Sequence, residues 1–506
     1  MTTFPATLAP AAPLDPMSCN LAELLLAQAA RRPEAPAIVT DAETLSYGDL
    51  AALVARLAGG LAARGLVPGD RVISIAKKSP EAIALFFATV LSGAIYVPVN
   101  PALTDREIGV IAEEAQARLV VLDDPDARPG LGDAVRVALA ALAQGVAAAL
   151  DAPTARGEDP AVMLFTSGTT GRPKGSVQTH RNLAVNLASL GPNWGMSPGD
   201  VLLHILPIYH GHGLFLAAGG ALVNGATLRL LDKFDLARIL GLLPQATVLM
   251  AVPTIHARLL DSPDFTAEVC RNLRLVTSGS APLPVELRDR FLARTGIVLL
   301  ERYGSTEAGM IASNPLDGER RRGSVGRAYD GVELKILGPD GAPVPDGEVG
   351  QLYVRSPYVN AGYWQADGTI RPNVDAEGYF DTEDLVVRDA QGYLSIVGRA
   401  KDLIISGGLN IYPREVENAL EAVAGIAEAA VVGVPHPDYG EAVLAVAVAG
   451  PGGVPEADAV QAALAESLTG YKRPKRIEFV DALPRNEMGK VLKRDLAERF
   501  KAVFTD

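Results

Sequence analysis

The sequence predicts an α/β protein: a large N-terminal domain with mostly parallel sheets and a β-rich subdomain, followed by a small α+β C-terminal domain. Three observations carry this. From Leu21 to Val276, short apolar runs alternate with stretches of helical spacing, as parallel strands joined by crossover helices require. Between Gly331 and Ile396 the texture shifts to short β-like segments separated by turns such as Gly338-Pro339-Asp340-Gly341 and Val344-Pro345-Asp346-Gly347. After Gly398 a second, shorter alternation begins, and a chain of 506 residues with 48% apolar content exceeds what one core needs.

In chain order, residues 1–20 read as a flexible tail, since the first sixteen are rich in Ala and Pro and lack the basic start and apolar block of a signal peptide. Leu21 to Ala63 gives an amphipathic helix, a strand at Ala37 to Val39 and a helix from about Tyr47. Strands follow at Val72 to Ile75, Ala94 to Val97 and Leu119 to Leu122, then at Val162 to Phe165, Leu202 to Ile205, Thr247 to Met250 and Leu273 to Val276. The Ala-rich stretch from Ala138 to Ala155 reads as a surface helix plus linker. The large domain is expected over 21–399 and the small one over 400–506, the latter with a strand at Ala429 to Val434, a helix at Ala457 to Leu468 and a last helix after Lys490.

A formal charge of −13 excludes a broad nucleic-acid or anionic-membrane surface, because such surfaces need Lys and Arg to replace phosphate counterions. An anionic substrate must then be met by a local basic pocket. Cys19 and Cys270 are too few for a disulfide framework and show no metal-ligand spacing, which suits a reducing cytoplasm. Apolar stretches such as Leu214 to Val223 are broken by glycines and fall short of the ~20 residues of a membrane span.

The most informative segment is Thr166-Ser167-Gly168-Thr169-Thr170-Gly171-Arg172-Pro173-Lys174-Gly175, directly after a strand. Small residues let backbone N–H groups approach phosphate oxygens, hydroxyls add donors and Lys174 adds a charge. The spacing is not that of a Walker A loop, and a plain turn is the competing reading. Further segments follow in order: Tyr209-His210-Gly211-His212-Gly213, Gly279-Ser280-Ala281-Pro282, Glu301-Arg302-Tyr303-Gly304-Ser305-Thr306-Glu307, Tyr379 to Asp384, Gly398-Arg399-Ala400-Lys401-Asp402, and Pro484-Arg485-Asn486-Glu487-Met488-Gly489-Lys490.

This ordered set resembles the adenylate-forming superfamily, which joins acyl-coenzyme A synthetases, luciferase-like enzymes and peptide-synthetase adenylation domains. The resemblance implies ATP, Mg2+ and coenzyme A as cofactor and co-substrates, a small-molecule carboxylic acid as the other substrate, and a mobile small domain. It implies Thr166, Ser167, Gly168, Thr169, Thr170, Gly171 and Lys174 as the phosphate loop, and Glu307 with Thr166 at magnesium. Thr306 adds a phosphate-side hydroxyl. Asp384 and Arg399 fall at the ribose, and Gly279, Ser280, Ala281, Pro282, Glu301, Arg302, Tyr303, Gly304 and Ser305 form the adenine slot, with the Tyr303 ring stacked on the base. Lys490 becomes the adenylation cation, His210 a catalytic side chain beside the acyl group, Lys401 the hinge, and Gly407, Gly408 and Leu409 the wall of the coenzyme A thiol tunnel. A surface charge for Lys490 and a plain Gly-Gly turn are the competing readings. Thr382-Glu383-Asp384 departs from the family's usual Thr-Gly-Asp, which leaves the local turn open.

For the acid, Arg258 after Val252-Pro253-Thr254, Ser280, and Arg302 before Tyr303-Gly304 resemble the malonyl-coenzyme A synthetase branch, where such groups hold a second carboxylate. Arg258 pairing with Asp261, and Arg302 bracing Glu301, stand as the alternative. His210, Gly211 and Ser305 complete the expected acyl pocket; Gly211 and Ser305, where relatives carry bulkier Thr and Met, imply room at the acid's second carbon and admit methylmalonate. Competing functions are a ligase for short, medium or aryl monocarboxylates, an adenylation enzyme loading a carrier protein, and a non-catalytic nucleotide or acyl-ligand sensor.

Overall fold

The computed structural model describes residues 14–128, 131, 134–148, 153, 155–166, 173–486 and 489–504. Two large sheets dominate. The first has nine strands in the order Arg327–Ala328, Gly309–Ser313, Leu300–Ser305, Leu275–Ser278, Val248–Ala251, Val201–His204, Thr227–Leu230, Pro36–Val39 and Thr44–Ser46. Its six central strands, Leu300–Ser305 through Pro36–Val39, run parallel. The second has eight strands; Pro160–Thr166, Ile95–Pro98, Arg71–Ser74, Leu119–Leu122 and Val135–Ala138 are parallel, and Lys174–Thr179 begins an antiparallel edge.

Helices fill the space between these sheets, as one continuous core draws on Leu202, Leu228 and Val248 of the first and Val72, Tyr96 and Val162 of the second. The helix Pro80–Leu91 shows why. Every residue but Glu81 is buried, so it has no solvent face to keep polar, and Phe86 and Phe87 pack ring to ring at 4.8 Å. Its start is fixed by the Ser79 hydroxyl accepting the Ala82 N–H and by Pro80 in the first turn.

The β-rich stretch forms a four-stranded antiparallel sheet, Glu333–Leu337, Val349–Arg355, Phe380–Arg388 and Leu394–Arg399. After the turn Ala400–Asp402 the chain enters a separate five-stranded sheet built on the long hairpin Ile426–His436 and Gly440–Ala449, with its own apolar core against the helices Pro413–Glu421 and Ala457–Ser467. The α/β class with parallel-rich sheets and a separate C-terminal unit is therefore as expected.

One expectation needs correction. The tail does not run to residue 20: Cys19 and Asn20 are buried, and the Asn20 amide donates to the carbonyls of Val90 and Ala155, both at 2.9 Å. The Ala-rich stretch does give a short surface helix, Leu139–Ala143, with Ala140 and Ala141 exposed and Leu139 and Leu142 buried, and the Leu142 carbonyl would lie 2.6 Å from a Cβ on Gly60. Glycines in the helix Tyr47–Ala62 allow this approach.

Candidate active site

The parallel strands of both large sheets deliver their C-terminal ends to one region, where open α/β sheets place ligands. Thr166 ends one strand, His204 opens a loop to Gly213, Ser278 precedes Gly279 and Ser280, and Ser305 ends another. Gly304 sits at a register shift between its strand and Gly309–Ser313, and a Cβ there would lie 2.2 Å from the Gly309 carbonyl oxygen, so only glycine permits the bulge.

On the phosphate side, Thr166 and Lys174 face each other across an antiparallel pair. Ser167, Gly168, Thr169, Thr170 and Gly171 lie outside the described residues. Lys174 Nζ stands 5.8 Å over the Tyr363 ring, whose hydroxyl donates to Glu307 Oε1 at 3.3 Å. Burial and the Glu307 charge push the Tyr363 pKa up to about 12, so it remains a donor. The Thr306 carbonyl accepts from Gln178 at 2.6 Å, and the Ser305 hydroxyl accepts the Ala308 N–H at 3.0 Å, which fixes the Thr306-Glu307 turn.

Asp384 lies opposite Arg399 in the four-stranded sheet and is buried. Its Oδ1 receives Arg399 Nε at 2.9 Å and its Oδ2 the Tyr303 hydroxyl. Burial raises its pKa, against the pull of Arg399, the Tyr303 hydrogen bond and Lys490. Tyr303 is thus anchored by its hydroxyl, and its ring packs with Ile311 and Phe380. Glu383 takes the left-handed backbone that glycine favours, φ +58°, and its carboxylate stands 3.3 Å from Lys401 Nζ and 3.7 Å from Arg399.

Lys490 arrives from the small C-terminal unit. Its side chain is exposed to solvent, but the protein packed around it lowers its pKa; Arg399 and Lys401 act in the same direction and Asp384 and Asp402 oppose them. The turn before it is held by Asn486, whose side-chain Oδ1 accepts the Lys490 N–H at 2.9 Å. Gly489 has φ +76°, and a Cβ there would sit 2.9 Å from Thr254 Cγ2, so the turn rests directly on the helix Pro253–Leu260. Gly407, Gly408 and Leu409 stand elsewhere: exposed, with the Gly407 N–H on the Tyr439 carbonyl at 2.9 Å.

Arg302, Ser280 and His212 form a buried polar cluster around Gly279. Arg302 is 7% exposed, and its Nε and Nη2 have no hydrogen-bond partner among the described residues. Alternation along Leu300–Ser305 sets it apart from Glu301 and Tyr303, and its guanidinium passes beneath Gly279, where a Cβ would meet Nε at 2.4 Å. Burial lowers its pKa to about 10, still fully charged near neutrality. His212, on the π-helix His212–Gly219, shares a hydrogen bond between Nδ1 and the Ser280 hydroxyl at 3.1 Å. Burial first, then Arg302 and the neighbouring His204, His256 and His210, hold its pKa well below the ordinary value. Burial likewise brings His210 to about 4. With His204, His210, His212 and His256 all held low by burial, Arg302 carries the positive charge of this cluster.

Two expected site residues differ, Arg258 of the acyl pocket and Glu301 of the adenine slot. Arg258 is exposed and its guanidinium lies 5.4 Å over the Phe234 ring, and no ion pair with Asp261 forms among the described residues. The helix buries Pro253, His256, Leu259 and Leu260, and a residue two positions from His256 points to the opposite face. Glu301 does not present its carboxyl to a base: it is buried and held by the Leu283 N–H, near Arg414 and Arg288, with burial raising its pKa to about 7. Sequence reasoning did not assign roles to His212, His256 or Tyr363, although the first stood inside a quoted motif.

Residues 25–364 match the model of the AMP-binding enzyme family, and residues 415–490 match the AMP-binding enzyme C-terminal domain. The chain belongs to the AMP-binding enzyme family. A feruloyl-CoA synthase of Amycolatopsis sp is 35% identical over 480 residues, covering 92% of this chain and 96% of the relative. A sulfoacetate–CoA ligase of Cupriavidus necator is 36% identical (93% and 96% covered), and a mitochondrial malonate–CoA ligase of Mus musculus 32% identical (85% and 82%). Among solved structures, ATP-bound MatB from Rhodopseudomonas palustris superposes with a TM-score of 0.92 at 41% identity, covering 96% of this chain and 100% of that one.

This AMP-binding enzyme is thus an AMP-forming acid–thiol ligase that acts on a small-molecule acid with ATP, Mg2+ and coenzyme A. The side chains suit the metal. No group of three or more metal-ligating side chains occurs among the described residues, but Mg2+ bound through substrate phosphates needs only one or two carboxylates, and Glu307 keeps Oε2 outside its bond to Tyr363. No helix of the described residues is long and apolar enough to cross a membrane.

Proposed function

We propose that the acid carries a second anionic group close to the first, malonate or a 2-substituted malonate such as methylmalonate being the best fit. The observation that carries this is Arg302, a buried guanidinium with two free donors and no carboxylate beside it among the described residues. An apolar or aryl acid would leave that charge desolvated and unpaired, whereas a distal carboxylate answers it with charge-assisted bonds. Ser280 and neutral His212 add polar contacts. Gly211 leaves space toward Phe215 and Leu164, which a Cβ would meet only at 3.6 and 3.8 Å, and this favours a substituent on the second carbon. The sulfonate of sulfoacetate would satisfy Arg302 in the same way, and the 36% identical ligase keeps that second reading open.

In this reading Lys490 binds the carboxylate and α-phosphate as negative charge builds, while Lys174 and the Thr306 hydroxyl hold the phosphates. Glu307 and Thr166 would hold Mg2+, which supplies charge neutralisation on the phosphates when bound. Asp384 and Arg399 orient the ribose, Gly279, Ser280, Ala281, Pro282 and Tyr303 enclose the adenine, and His210 closes the pocket beside the acyl carbon. The large domain, 21–399, and the small one, 400–506, turn about Lys401, after which Gly407, Gly408 and Leu409 line the thiol's path. Pyrophosphate release is measured with malonate, methylmalonate, sulfoacetate, butyrate and ferulate, with and without coenzyme A. Preference for butyrate or ferulate over every dianion would refute the proposal.

A further inference from the structure

Lys78 has no part in the chemistry above, yet it is placed as few lysines are. It leaves the C-terminal end of Arg71–Ser74 in the eight-stranded sheet, just before the Ser79 cap of Pro80–Leu91, and crosses to the nine-stranded sheet. There its Nζ donates to the Leu206 carbonyl at 2.9 Å and reaches that of His204 at 3.5 Å. Burial lowers its pKa to about 7, against the pull of Asp232, and no ion pair to it forms among the described residues. Lys78 is half-buried, and an ammonium that loses part of its hydration needs its donors used, as they are here by backbone carbonyls.

Those carbonyls open the loop that carries His210, Gly211 and His212. The far end is tied back by His204, whose Nε2 donates to the Gly213 carbonyl at 2.8 Å. The loop has no slack, since a Cβ on Gly213 would lie 1.9 Å from the Pro207 carbonyl oxygen. We propose that Lys78 is a positioning residue for the acyl pocket: by pinning the Leu206 carbonyl from the opposite sheet it sets where His210 and His212 stand, and so how tightly the acid is held. This rests on the reading that the loop walls the acyl pocket.

The test compares Lys78→Met and Lys78→Arg, using whichever of malonate, methylmalonate, sulfoacetate and butyrate the wild type uses best, with KM for acid and for ATP measured separately. Lys78→Met is expected to raise the acid KM at least tenfold and leave the ATP KM within twofold, and Lys78→Arg, which keeps a cationic donor, to recover most of the loss. If Lys78→Met does not fold, Lys78→Gln is held to the same thresholds. An acid KM within twofold of wild type, or acid and ATP KM rising together, overturns the proposal. His210→Ala separates the two failures: an unchanged acid KM there sinks the pocket reading itself, whereas a raised one beside an unaffected Lys78 variant sinks only the positioning role.

Discussion

Replacing Arg302 with Met should move catalysis and stability in opposite directions. Nε and Nη2 are both unpartnered among the described residues, so a distal carboxylate can take up at least one charge-assisted bond. Such a bond is worth about 1.5–3 kcal/mol. At about 1.4 kcal/mol per tenfold, malonate kcat/KM should fall roughly 10- to 150-fold. Butyrate, which offers nothing to the guanidinium, should lose less than threefold or gain. The same change removes a buried cation with no carboxylate beside it, so the melting temperature without substrates should hold or rise. Pyrophosphate release at saturating ATP and thermal unfolding of the same preparations give both answers, with Arg258→Met as the control expected within twofold of wild type because its side chain lies outside, on Phe234. Equal proportional losses with malonate and butyrate would refute the clamp, and a melting temperature lowered by several degrees would show that Arg302 instead holds the fold together.

Three further outcomes follow from the site. Lys490→Ala should cut adenylate formation by orders of magnitude while coenzyme A still captures presynthesised acyl-adenylate, and equal damage to both half-reactions would remove Lys490 from the adenylation role. Glu307→Gln should depress turnover with every acid and raise the Mg2+ concentration needed for half-maximal rate; a loss confined to one acid would place Glu307 in the acyl pocket instead. Glu301, its pKa raised by burial from 4.5 to about 7, keeps a proton in the folded chain that the unfolded chain releases. Its contribution to stability is therefore full below pH 4.5 and lost as pH rises through about 7. The melting-temperature difference between Glu301→Gln and wild type should accordingly grow in the variant's favour from pH 5 to pH 8, and a flat difference would show that Glu301 is not shifted.

Local pattern made much of the molecule legible. The strand at Leu119–Leu122 is an unbroken apolar run because both its faces are buried, and the Gly and Pro turns marked the four-stranded sheet for a reason of backbone geometry. What stayed hidden depends on partners distant in sequence. Nothing next to Lys78 in the sequence signals the Leu206 carbonyl that the second sheet brings to it. Asn20 reads as tail until Val90 and Ala155 meet its amide. Arg258 was legible in principle: the spacing of Pro253, His256 and Leu260 already turns it outward, and motif position outweighed that signal. Glu383 could not have been resolved, since a left-handed non-glycine residue is visible only in φ.

The close approach of Gly489 to Thr254 bears on how this enzyme could be divided experimentally. A lysine's charge and a lysine's reach are usually lost together when the residue is replaced. Here they are separable, because the reach depends on a neighbour with no side chain: one methyl group at 489 would force either Thr254 or the whole turn to shift while every ionisable group kept its identity. The fit between the two units is thus set at the residue beside Lys490, where a side chain would meet both the left-handed backbone and the helix Pro253–Leu260, so that a substitution at 489 alters the placing of Lys490 and leaves its charge intact.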